Sequence, residues 1–207
     1  ISGIALTTTT SSLVAVRGYQ PLAEPPAIRW DDLQCREEAC ELERWRKGTG
    51  AFPWLDPVMA DAGIAKGLFW VKRYPHSLFD QETHVMEQLT FLNWWLTDEI
   101  SQVETIVSRK WGQTRSRRWP DAFRERLKNG IARHAGTRVS SDWFVGKMLP
   151  GNIVPAGEKI GKVRKLLADM LNLPMTAEVF AAPLDTFAQI MGLGLVEPSS
   201  MVGVSLG

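Results

Sequence analysis

DQETHVMEQLTFLNWWLTDEISQVETIVSRKW, residues 80–111, is the stretch on which the reading of the fold turns. Val85, Leu89, Leu92, Leu96, Val103 and Val107 recur at helical steps, and Met86, Trp95, Ile100, Ile106 and Trp111 widen the stripe. Apolar residues at this period predict one amphipathic helix of about eight turns, roughly 45 Å long. Gly112 supplies its stop. A helix of that length is expected to be the scaffold of a mainly α fold, packed by several shorter helices.

Working outward, residues 30–47 read as an acidic first helix. Asp31 or Asp32 can cap it, acids fill its early turns, Arg44, Arg46 and Lys47 follow, and Gly48 ends it. Residues 48–79 form a connector rich in Gly, Pro and aromatics, with a short helix expected near Asp56 to Ala62. Pro120 suits the first position of a helix running to about Ala135, with Phe123, Leu127 and Ile131 on one side. Residues 141–148 make a short segment. Residues 158–172 and 176–191 predict C-terminal helices, the second divided by Pro183. Residues 1–29 and 192–207 carry no amphipathic period and read as extended arms around a helical domain at 30–191, although a short strand at Leu13 to Val16 is compatible with the first.

Charge is unevenly spread. Residues 109–138 hold ten Lys/Arg against Asp121 and Glu125, a local +8 in a chain of net charge +1. A local positive field can seat an anionic partner on a nearly neutral molecule. Arg115, Arg117, Arg118, Arg124 and Lys128 are the candidates for that contact. Trp54, Trp70 and Trp119 are the candidate protein-partner anchors, because aromatics in loops are what partner surfaces use. Arginines interleaved with tryptophan also suit RNA or DNA, by phosphate contact and base stacking. Anionic lipid is a further partner class.

Catalytic signatures are missing. The chain has no Gly-x-Gly-x-x-Gly and no Walker-type loop. His76, His84 and His134 are scattered, and no His-x-x-x-His pair exists to hold a metal. Cys35 and Cys40 are five residues apart, which on a helix turns them about 140° from each other, so they read as two reduced thiols. The stretch Ala177–Val196 is the most apolar, but Glu178, Pro183 and Asp185 interrupt it, so it reads as buried helix and not as a membrane span. The sequence calls for no cofactor and no metal.

These readings converge on a non-catalytic structural subunit of a large assembly. Its apolar arms would lie along neighbouring subunits and its basic face would meet an anionic partner. A coat- or nucleocapsid-like nucleic-acid-binding protein is the alternative, and an enzyme without a recognisable motif is the third reading. The chain begins Ile-Ser-Gly, which suits a processed organellar (mitochondrial) or virion protein, and equally a trimmed chain.

Overall fold

The computed structural model describes residues 2–51, 58–75, 82–113, 119–135, 141–148 and 150–192. The long helix expected over residues 80–111 is four elements in it. Strand β4 (Thr83–Glu87) leads into helix α3 (Gln88–Thr97), which is followed by strand β5 (Ser101–Val103) and helix α4 (Glu104–Trp111). Asp98 makes the break, closing α3 in the left-handed region at φ 70° while its N–H reaches back to the Trp94 carbonyl. Thr97 Oγ1 then accepts from the Glu99 N–H and turns the chain toward β5. The apolar spacing runs on through this break, so Val85 and Val103 kept the helical count while sitting on strands.

The remaining strands lie where arms and helices were expected. Residues before 30 supply β1 (Gly3–Leu6), β2 (Leu13–Arg17) and β3 (Gln20–Pro21). Leu13, Ala15 and Val16 on β2, the anticipated strand, are fully buried. Further on come β6 (Asn152–Val154), β7 (Lys159–Lys162) and β8 (Glu178–Ala181). Only Lys165–Met170 is helical in the span 158–172, and the region before Pro183 is β8 instead of helix. The mainly α expectation is therefore corrected to a mixed α/β fold.

Three small sheets form among the described residues. One has the order β1-β8-β7, with β1 parallel to β8 (Gly3 beside Glu178, Leu6 beside Ala181) and β7 antiparallel. The second, β3-β2-β4, is antiparallel, and the third is the parallel pair β5-β6.

Six further helices lie among the described residues. They are α1 (Arg36–Arg46), α2 (Gly63–Arg73), α5 (Asp121–Ala135), α6 (Ser141–Met148) and α8 (Asp185–Gly192), the short α7 being Lys165–Met170. Helix α2 was hidden in the Pro/aromatic connector. Every residue from Gly63 to Val71 is buried. It packs with α1 and α5 around a core containing Trp70, Trp111, Phe123, Leu127, Ile131 and Phe144.

Candidate functional site

Strands β1 and β8 run side by side in one direction and end together at Leu6 and Ala181. The space beyond the carboxyl ends of parallel strands is where ligands bind in open α/β sheets, because the chain turns away there and leaves a crevice. Here two loops border that space, Thr7–Ser12 after β1 and Ala182–Leu184 after β8. Thr7 joins them, its hydroxyl donating to the Pro183 carbonyl at 3.2 Å.

A cleft of about 300 Å³ opens between these loops and α4. It is lined by Thr10, Met59, Asp61, Arg109, Lys110, Leu184, Asp185 and Thr186. Asp185 opens α8, so its carboxylate sits at a helix N-terminus, where the peptide dipoles favour negative charge. Lys110 Nζ is 2.6 Å from Asp61 Oδ2. Arg109 is exposed and, among the described residues, has no ion-pair partner. A hollow of about 810 Å³, mostly apolar, adjoins the same two loops and is floored by Ala5, Phe180, Ala181 and Phe187.

Beneath the Thr7–Ser12 loop lie two buried charges. Ser11 is a non-glycine residue at φ 65°. Its N–H donates to Glu87 Oε2 at 2.8 Å, and its carbonyl accepts from Lys66 Nζ at 2.8 Å. Lys66 also donates to the carbonyls of Arg29 and Trp30, which uses all three ammonium hydrogens. The second Glu87 oxygen accepts from the Trp111 indole at 2.8 Å. Glu87 is 1 % exposed and Lys66 0 %. Burial pushes the Glu87 carboxyl up to about 7, against the pull of the Trp111 and Ser11 hydrogen bonds and of Lys66 and Lys110. Burial holds Lys66 below the usual lysine range, opposed chiefly by Glu87. On the outer side of the same loop Trp30 donates its N–H to Ser12 Oγ at 3.1 Å and leaves its ring half exposed.

The residues singled out in the sequence fall elsewhere. Arg115, Arg117, Arg118 and Trp54 lie outside the described residues. Arg124, on α5, is 3.5 Å from Asp121, and Lys128 is 4.0 Å from Glu125. Their neighbour Arg126 caps α1, donating to the Trp45 and Lys47 carbonyls at 2.8 and 2.7 Å. Trp70 and Trp119 are no surface anchors, being 0 % and 2 % exposed. The Trp119 indole donates to the Trp111 carbonyl, and its ring packs edge-on to Phe123. Both rings are committed to the core.

The cleft residues went unselected. Arg109 and Lys110 open the basic stretch but were passed over, and Asp185 served only as an argument against a membrane span. The signal for Asp185 was a short apolar run, Val179 to Ala182, ending in Pro-Leu-Asp before a helix. Among the described residues no three His, Cys, Asp or Glu gather as metal ligands, and no helix is long and apolar enough to cross a membrane.

No model of a known protein family matches the chain, and no curated protein matches it significantly. Solved structures do. A gluconate kinase from Lactobacillus acidophilus superposes with a TM-score of 0.68 at 14% identity, over 94% of this chain and 36% of its own. A xylulose kinase from Rhodospirillum rubrum gives 0.66 at 19% identity, over 95% and 37%. A glycerol kinase from Plasmodium falciparum, solved with ADP, gives 0.62 at 16% identity, over 92% and 35%. The chain thus spans little more than a third of the length of these structures. The likeness shows an α/β fold shared with about a third of each of these structures. It overturns the expectation of an all-α, non-catalytic structural subunit, since the structures that superpose have an α/β fold and are described as kinases.

Proposed function

We propose that this chain carries the acceptor-binding part of a kinase that transfers a phosphoryl group from a nucleoside triphosphate to a hydroxyl of a small polyol or sugar. The observation that carries this reading is Asp185, a carboxylate at a helix N-terminus beyond the ends of parallel β1 and β8, in one cleft with Arg109 and Lys110. The similar structures described as gluconate, xylulose and glycerol kinases supply the substrate class.

The cleft has the parts such a step needs. Phosphoryl transfer asks a protein chiefly for positioning and for stabilisation of charge. Asp185 accepts the proton of the attacking hydroxyl as the new O–P bond forms and the bond from the γ-phosphorus to the bridging oxygen breaks, releasing the diphosphate. Arg109 places positive charge where the anionic phosphoryl group passes, beside Lys110, which is held by Asp61. The Thr10 hydroxyl, on the cleft wall, hydrogen-bonds the acceptor.

Calorimetric titration of the chain with glycerol, D-xylulose and D-gluconate tests the reading. Saturable binding of at least one, weakened by Thr10→Ala and by Arg109→Ala, is the expected result. Absence of binding by all three overturns it.

A further inference from the structure

We propose that Glu87 and Lys66 are positioning residues of this cleft, a buried clamp that grips Ser11 by its N–H and its carbonyl and so sets where Thr7–Thr10 stand relative to Asp185. The inference rests on the proposed polyol site, but its structural part can be tested without any ligand.

The grip is specific to one residue. Glu87 Oε2 takes the N–H of Ser11 and Lys66 Nζ takes its carbonyl, each at 2.8 Å. Ser11 is held between them at φ 65°, a conformation that costs a side-chain-bearing residue about 1 kcal/mol or more. A non-glycine residue keeps such a conformation only where its surroundings over-determine it. The next residue is fixed as well, since the Gln88 N–H donates to the Ser12 carbonyl and Ser12 Oγ accepts from Trp30. Thr10 immediately precedes the clamped residue and lines the cleft, while Thr7 is bonded to Pro183, two residues before Asp185. A short chain of contacts therefore runs from Glu87 through Ser11 and the threonine turn to the β8–α8 loop.

The clamp is built around its own space. A β-carbon on Gly63 would stand 2.5 Å from the Trp111 indole nitrogen and 3.0 Å from Glu87 Oε1, so only glycine lets α2 approach this closely. Around Glu87 stand Ser11 from the loop, Lys66 and Gly63 from α2, and Trp111 and Lys110 from α4. Both carboxylate oxygens accept from N–H donors, which favours the ionised form, but burial outweighs these bonds and favours the protonated one. With a midpoint near 7, Glu87 changes state in an accessible range, and the turn is expected to change with it.

Amide proton–nitrogen spectra of the intact chain from pH 5 to 9 test this. The Ser11 amide and the Trp111 indole are expected to titrate together near pH 7, and the Thr8, Thr9, Thr10 and Thr186 amides to follow the same midpoint. Glu87→Gln, which turns one acceptor into a donor, is expected to abolish the shared titration and to weaken binding of whichever of glycerol, D-xylulose or D-gluconate binds by about tenfold. If Ser11 and Trp111 titrate while the threonine amides stay fixed, the clamp is local structure and the proposal is overturned. It is also overturned if Ser11 does not titrate. The wild-type titration decides even if the variant does not fold. If no polyol binds but the threonine amides follow Glu87, the polyol site falls and the clamp stands.

Discussion

Trp45 and Gly130 meet where α1 packs on α5, and the indole lies so close that a β-carbon on Gly130 would stand 2.1 Å from it. The contact explains a glycine in mid-helix, a position that costs about 1 kcal/mol in helix propensity relative to alanine. Arg126, one turn earlier, holds the end of α1 in place by bonding the Trp45 and Lys47 carbonyls. Gly130→Ala must push the ring aside, and overpacking of this kind costs about 1–3 kcal/mol, more than propensity returns. A lower urea midpoint with an unchanged slope is the expected result. A midpoint equal to or above that of the wild type would show that Trp45 moves freely.

Asp185→Asn separates binding from chemistry. The amide keeps the shape and the hydrogen-bonding reach of the carboxylate but cannot take a proton. Polyol affinity is expected to change by less than about threefold, while polyol-dependent release of ADP from ATP by a preparation that supports it drops by about 10²–10⁴-fold. Equal loss of affinity and turnover would make Asp185 a binding residue only.

Stability should carry the mark of Glu87. Its carboxyl is raised from 4.5 to about 7 in the folded chain, so between these values the folded state holds a proton that the unfolded state has lost. The stability due to this group is therefore full below about pH 4.5, falls as pH rises through 7 and is then flat, a total of about 3 kcal/mol. His84 acts oppositely, because burial and Lys147 hold it below its usual value, so its term rises with pH up to about 6.5. Comparing urea unfolding of the wild type and Glu87→Gln at pH 5, 6, 7 and 8 cancels the His84 term. The difference should grow in favour of the variant from pH 5 to 7. A constant difference would mean that Glu87 titrates in its ordinary range.

The two thiols should behave unlike each other. Cys35 is fully buried, and desolvation together with the neighbouring Glu38 pushes its thiol up to about 12, whereas Cys40 is exposed on α1. A thiol-reactive dye at pH 8 should label one site quickly in the native chain and two after unfolding. Rapid labelling of both in the native state would contradict the burial of Cys35.

Parts of two helices, α1 and α5, were legible, and the reasons are local. Pro120 followed by Phe123, Leu127 and Ile131 announced α5, and all three side chains are fully buried on one face. The charge order of α1, with Glu37 and Glu38 early and Arg44 and Arg46 late, also read true. The sheet was hidden because β1 has only four residues, none of them fully buried, and its partner β8 lies near the far end of the sequence. No periodicity within a window can register such a pairing. The cleft went unseen for the same reason, since Thr10 and Asp185 become neighbours only once β1 and β8 are paired. The basic stretch misled in another way. Arg126 and Lys110 form bonds inside the fold, and an excess of positive charge in the sequence carries no sign of which cations are engaged in this way.

The bond from Thr7 to Pro183 joins residues 176 apart in the sequence. Closing so wide a loop costs conformational entropy before any contact repays it, and chains dominated by such closures fold slowly. The α1–α2–α5 core can assemble from nearer segments, so the cleft is expected to take shape last. A kinetically trapped form would then have most of its helix content, a buried Trp70 and no ligand affinity, and a fluorescence signal alone would count it as native.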